Sequence, residues 1–228
     1  MRGLGTLVNV ATVIAGTAIG LIAGHRIPER MRVTVLQAAG LVTLVLGFKD
    51  AATSRNIVFP LVALVMGAIL GEAVRVEDRL ESIGERLRPG VATDKASFVE
   101  GFVAASLLFC IGPLTILGSI SDGLGHGAQE LIVKAALDGL VAVVFASTLG
   151  IGVGFSALTI LVVQGGITAG AGWADNVLSA RMITEMTATG GVILIGIGVR
   201  LLDIKRIRVG SYLPALVLAP VLVSLFAR

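Results

Sequence analysis

The sequence predicts an all-α protein, a polytopic transmembrane helix bundle, on three observations. Of its 228 residues 55% are hydrophobic and only 14% are charged, with a mean hydropathy of +0.96. A soluble domain carries about 25% charged residues. The few charges are clustered, so that 4–23, 56–71, 102–120 and 155–171 run almost free of them. Each stretch is near the length that crosses a hydrocarbon core of about 30 Å. A fold of this size in water needs more polar surface than this chain possesses.

About eight spans are expected within a single domain 1–228, at 4–23, 33–49, 56–73, 98–119, 130–148, 155–171, 187–203 and 212–227. Seven crossings with one re-entrant segment is the alternative. Met1-Arg2 before the first apolar run resembles a secretory signal, but the run is longer than a signal core and further spans follow, so it reads as a retained helix.

In the first span Gly16, Gly20 and Gly24 recur every fourth residue, a stripe against which another helix backbone can lie closely. Thr6, Asn9 and Thr12 extend it. Asn9 either hydrogen-bonds across helices or lines a polar cavity. Gln37 in the second span and Gln164 in the sixth read as buried amides bonded between helices. The one substantial loop predicts an amphipathic cytoplasmic helix over 76–89, with Val76, Leu80, Ile83 and Leu87 on one face, early acids, late arginines, and Pro89-Gly90 as its stop. It lies on the membrane interface or docks a partner.

Ser97-x-x-Glu100 fits a capping box opening the fourth span. Gly112-Pro113 interrupts that span, because proline removes a backbone bond and clashes with the preceding turn. The result is either a kink or a broken helix framing a site, with Thr115 and Ser119 following on one face. Asp138 lies mid-span in the fifth helix, where an aspartate costs about 2.5–3.5 kcal/mol. Lys134 is one turn earlier on the same face, so the two form a structural ion pair, or Asp138 serves as a cation or proton site. Thr187–Gly191 is a polar, flexible stretch opening the seventh span. Glu185 before it lines a pathway or stabilises a helix N-terminus. Trp173 and Tyr212 sit near span ends as interfacial anchors.

The chain also compares with itself. Gly40-Leu41-Val42 matches Gly139-Leu140-Val141, and Gly67 and Gly71 match Gly166 and Gly170, both at one shift; Gly16 matches Gly112 at a slightly smaller one. Units 4–73 and 98–171 would each hold three helices, and an odd count inverts the second, the arrangement of many transporters. The additional helices over 187–227 begin a third copy, in which Arg206-Ile207-Arg208-Val209 echoes Arg30-Met31-Arg32-Val33.

Lysine and arginine placement sets the orientation. Loops after the odd spans hold Arg26, Arg30, Arg32, Arg75, Arg79, Arg86, Arg88, Lys95, Arg200, Lys205, Arg206 and Arg208, against Arg2, Lys49, Arg55, Lys134, Arg181 and Arg228 on the other side. The richer side is expected in the cytoplasm, with both termini outside.

Gly5-Thr6-Leu7-Val8-Asn9, Gly16-Thr17-Ala18-Ile19-Gly20-Leu21, the stretch Ile111 to Gly118, Lys134-Ala135-Ala136-Leu137-Asp138-Gly139, and Ile183-Thr184-Glu185-Met186 with Gly190-Gly191 together resemble a prokaryotic inner-membrane family known as domain of unknown function 554. The resemblance spans essentially the whole chain. It implies a bacterial or archaeal cytoplasmic-membrane protein and carries no catalytic residues.

The expected function is a transporter or channel for a small polar solute or ion, its pathway lined by Asn9, Gln37, Pro113, Thr115, Asp138, Gln164 and Glu185. The alternative is a non-transporting scaffold that oligomerises and binds partners. No nucleophile–base pair, phosphate-binding loop or metal-ligand spacing emerges, so neither enzyme activity, cofactor nor metal is expected. Cys110 stands alone in an apolar run and forms no intrachain disulfide. Membrane lipids and a homo-oligomer are the expected partners; with so little soluble surface, nucleic acid is not.

Overall fold

The computed structural model describes residues 2–24, 26–88 and 94–226. Pro89 and Gly90, the expected stop of the loop helix, and His25 and Arg228 lie outside them. Every regular element among the described residues is helical: α1 Leu4–Gly24, α2 Glu29–Ala51, α3 Val58–Ala73, α4 Val76–Leu87, α5 Lys95–Ile111, α6 Pro113–Leu124, α7 Gln129–Leu149, α8 Gly152–Ala169, α9 Ala171–Val177, α10 Ala180–Leu201, a 3-10 turn Val209–Tyr212, and α11 Pro214–Phe226.

Six helices are long and apolar enough to cross a membrane, and two bent pairs, α3 with α4 and α5 with α6, raise the count to eight if each is one span. The α5–α6 pair bends by 61°. It still follows α8 from end to end: Phe98 abuts Gly152, Ser106 bonds Thr159 at 2.9 Å, and Gly123 abuts Thr168. The pair therefore crosses as a broken span. Of the two expected outcomes at Gly112-Pro113, a kink or a break, the structure has the break: Pro113 takes the first position of α6, where its missing N–H costs nothing.

The bundle turns apolar side chains to the outside and keeps its polar ones within an interior that is otherwise apolar. Leu7, Ile22, Val45, Ile69, Leu140, Val162 and Val217 are exposed, whereas Asn9, Ser119, Ser156, Gln164 and Glu185 are fully buried. The most enclosed helix is α5, whose Phe98, Ala105 and Phe109 fill the middle. Helix α1 runs parallel to α7, with Gly5 at Leu131 and Gly24 at Ser147; α2 runs antiparallel to α10, with Gly40 at Leu202 and Gly47 at Ile195. A Cβ on Gly16 or Gly20 would strike the carbonyl oxygen of Gly139 or Val143. The α1 glycine stripe is thus occupied within one chain. By these directions the start of α1, the end of α11 and the 52–57, 125–128 and 170–179 connections share one end of the bundle.

Helices α1, α2 and α3 of the 4–73 unit pack chiefly on α7, α10 and α11. The matched glycines are used unequally: Gly67 and Gly71 press on Ala215 and Ser211, while Gly166 has nothing within 4 Å.

Other details differ from expectation. Helix α10 begins at Ala180, capped by Ser179, so Thr187–Gly191 lies inside the helix. Asp94, not Ser97, caps α5: its carboxylate accepts from the Ser97 N–H at 3.0 Å and the Ser97 hydroxyl at 2.9 Å. That backbone bond first, with the hydroxyl, holds the Asp94 carboxyl below the usual range. Glu100 instead pairs with Arg200. Helix α4 leaves α3 at 59° and turns Glu77 and Gly84 inward, with Ile83 exposed, because Glu77 is held by Arg200.

Candidate functional site

Four polar side chains from three helices meet inside the bundle. The Asn9 amide on α1 donates to Asp138 Oδ2 of α7 at 2.9 Å and to Gln164 Oε1 of α8 at 3.0 Å. Lys134, one turn before Asp138, pairs with the same oxygen. Asn9 and Gln164 are 0% exposed, Lys134 5% and Asp138 8%. The glycine stripe makes the arrangement possible: with no side chains between them, the α1 and α7 backbones come close enough for a short Asn9 side chain to reach across.

An ionised carboxylate only accepts, so Asn9 must turn its amino group toward Asp138, and its second hydrogen then goes to Gln164. This orientation leaves Asn9 Oδ1 and Gln164 Nε2 without a partner. The ammonium of Lys134 offsets part of the cost of burying Asp138, while Asn9 satisfies the rest of that oxygen. Apolar side chains of α7 flank the group along the helix axis. Leu131, fully buried, wedges between Gly5 and Gly118 on one side; Ala142 and Phe145, also buried, follow on the other.

The remaining expected residues stand elsewhere. Pro113 and Thr115 form the break of the fourth span, where the Thr115 hydroxyl donates to the carbonyl of Phe109 at 3.1 Å. Thr115 thereby repairs a bond that the proline opened. Gln37 is exposed, correcting its reading as a buried amide. It lines a pocket of about 400 Å³ with Arg32, Ser97, Glu100, Thr148, Arg200 and Asp203, at the end of the bundle opposite the termini. Glu185 is fully buried and accepts from the Ser54 hydroxyl at 2.7 Å and from the backbone N–H groups of Arg55 at 2.9 Å and Asn56 at 3.3 Å. It stabilises the approach to α3, the N-terminus of a helix other than its own.

Two more buried carboxylates went unforeseen. Asp122 on α6, 2% exposed, accepts from the N–H of Gly5 at 3.0 Å, at the start of α1. Glu77 accepts from the N–H of Gly210, just before α11, and from Arg200. Local spacing carries no signal for either, since each serves a helix far away in the chain. Among the described residues no group of three or more histidine, cysteine or acidic side chains is placed to hold a metal ion.

The family model described as "Protein of unknown function (DUF554)" matches residues 4–224. The chain is 30% identical over 223 residues to "Uncharacterized membrane protein YdfK" of Bacillus subtilis (strain 168), covering 96% of this chain and 95% of that protein. It is 29% identical over 223 residues to "Uncharacterized protein YqgA" of Escherichia coli (strain K12), covering 95% and 94%. No solved structure matches it.

Proposed function

The chain belongs to the family of proteins of unknown function DUF554, and we propose that it is a transporter or channel for a small polar solute or ion. The observation that carries this reading is the buried group Asn9, Lys134, Asp138 and Gln164, which keeps one acceptor and one donor unused in a membrane interior. Polar groups in that setting are costly and mark substrate or ion paths by default. Asp138 is the binding carboxylate, Lys134 its internal counter-ion, and Asn9 and Gln164 orient the two. An arriving cation or proton competes with Lys134 for Asp138, and loss of the pair frees α7 to move along the smooth glycine face of α1. Along α7 the cluster is flanked by Leu131 toward one end and Phe145 toward the other.

The setting belongs to the same proposal: a prokaryotic cytoplasmic membrane, with the Lys- and Arg-rich end inside and both termini outside. A reporter fused at Arg228 that is active in the cytoplasm overturns that orientation. Flux of protons, alkali cations and small polar solutes into proteoliposomes tests the function, with wild type beside Asp138→Asn. Wild-type flux lost in the variant is the expected result. Equal flux removes Asp138 from the mechanism.

A scaffold is the second reading, favoured by the closed Lys134–Asp138 pair, which alone accounts for two of the four side chains. A stoichiometric partner recovered from membranes, without flux, selects it. Neither reading calls for enzyme chemistry. A homo-oligomer, which we retain in the proposal, must use outer faces other than the α1 stripe.

A further inference from the structure

Five unpartnered buried polar atoms lie along one line, apart from the Thr17 and Thr187 hydroxyls, which are unpartnered elsewhere. Beside Asn9 Oδ1 and Gln164 Nε2, the hydroxyls of Thr6 on α1, Thr168 on α8 and Ser119 on α6 have no hydrogen-bond partner, at 3%, 8% and 0% exposure. The large majority of buried side-chain polar atoms in proteins are satisfied by protein or water, so five such atoms around one helix junction require a common cause.

Their order is set by helix direction. Asn9 bonds Gln164 where α1 and α8 run antiparallel. Thr6 lies one turn before Asn9 and Thr168 one turn after Gln164, so both are displaced toward the end of the bundle that carries the termini. A Cβ on Gly165 would stand 3.9 Å from Thr6, which places the two helices side by side there. At the outer end Asp122 grips the N–H of Gly5, with Gly123 against Thr168 and Ser119 one turn deeper on α6. From Gly5 to Asn9 is about 6 Å along α1. In the other direction Val13, fully buried, follows Asn9 and ends the polar line before Thr17.

We infer that a file of water molecules, running between α1, α6 and α8 past Thr6, Thr168 and Ser119, connects the Asp122 end of the bundle to Asp138, and that the ion it delivers is the proton. The inference deepens the transport reading, on which it rests, by naming the ion and its side of entry. The chemistry of the free atoms selects water. Asn9 Oδ1 only accepts, Gln164 Nε2 only donates, and the three hydroxyls do both. Water satisfies such a mixed set, whereas a bare alkali cation meets the Gln164 N–H and the Lys134 ammonium. A carboxylate stands at each end. A hydronium arriving at Asp138 gives its proton to the free carboxylate oxygen: one water O–H bond breaks, one carboxyl O–H bond forms, and a water molecule is left. The neutral carboxyl then holds Lys134 by a weaker bond, and the pair loosens.

The test places single cysteines at Thr6 and Thr168 of the full chain in a Cys110→Ser background. A cationic, membrane-impermeant methanethiosulfonate is added to each face of the membrane in turn. Gly127→Cys, in the loop after α6, reports the face, and Leu7→Cys, on the lipid side, reports the unreacted limit. Thiols in apolar surroundings stay protonated and inert, so Thr6→Cys and Thr168→Cys should react about tenfold faster than Leu7→Cys, and from the Gly127 face. Reaction at the Leu7 rate, or only from the opposite face, overturns the file.

A second measurement uses Thr6→Val with Thr168→Val in proteoliposomes holding a pH dye, under a potassium diffusion potential. Acidification about tenfold slower than wild type supports the proton path, and equal rates overturn it. The two failures separate cleanly. Labelling without flux of any kind sinks the transport reading and leaves the wet file standing. Flux without labelling sinks the file alone.

Discussion

Asn9 and Asp138 lie 129 residues apart in the chain and share a 2.9 Å hydrogen bond in the interior of the bundle. The bond joins the first helix to the seventh across an interface of glycines. The second amide hydrogen of Asn9 goes to Gln164, and the Asn9 oxygen finds no donor. These contacts fix the geometry of the buried group and leave its hydrogen bonding unfinished.

The ion pair beside it makes a prediction that does not depend on function. Lys134→Met leaves Asp138 buried without its counter-ion and should cost about 3–5 kcal/mol. Adding Asp138→Leu to Lys134→Met should recover most of that loss, since two apolar groups of similar size replace the pair. Denaturation of the purified protein in mild detergent measures both. A double variant as unstable as the single one contradicts the pairing.

The α1–α7 interface predicts a contrast between glycines. Gly16→Ala and Gly20→Ala drive a methyl group into backbone carbonyls of α7 and should each destabilise by about 1–3 kcal/mol. Gly166→Ala, in α8 with nothing within 4 Å, should be neutral or stabilising by about 0.5–1 kcal/mol through helix propensity. Thermal melts of the three variants decide it; equal losses refute the packing argument.

Glu185 stabilises structure by holding the segment before α3. Glu185→Ala removes the acceptor of the Ser54 hydroxyl and of two partly exposed backbone N–H groups, and should cost about 0.5–1.5 kcal/mol for each bond lost. Glu185→Gln keeps an accepting oxygen and should lose less. Flux per folded molecule should stay at the wild-type level in Glu185→Gln. A stable Glu185→Gln protein with abolished flux would move Glu185 into the pathway.

Arg200 joins three helices, bonding Glu77 of α4 at 2.9 Å and Glu100 of α5 at 3.0 Å from its place on α10. Arg200→Ala should release α4 while the interior of α5, buried on all sides, stays closed. Hydrogen exchange read by peptide should rise across Val76–Leu87 and remain slow across 102–109. No rise across Val76–Leu87 would mean that α4 is held by its apolar contacts instead.

How much of the site was legible can be judged residue by residue. Asn9, Asp138, Lys134 and Gln164 stood out because a hydrophilic side chain deep in an apolar run needs a partner whatever the fold. The same signal misled at Gln37, which lies two turns into α2 at the rim of an open pocket, where water reaches it. Glu100 misled differently. Ser97-x-x-Glu100 reads as a cap, yet Asp94-x-x-Ser97 offers the same spacing one turn earlier, and Glu100 was free to meet Arg200. Asp122 and Glu77 gave no sign because each caps a helix more than a hundred residues away.

From the chain alone came its class, the approximate position of its spans, the break at Pro113 and a short roster of expensive polar residues. These depend on side-chain transfer energies and backbone covalent limits, which any stretch of sequence carries with it. Which of those residues meet was decided only when α1 settled between α7 and α8, because hydrogen-bond partners 129 and 155 residues apart are chosen by the docking of whole helices. Tertiary packing also decided which atoms went unpaired, since it brings no donor within reach of the Asn9 oxygen.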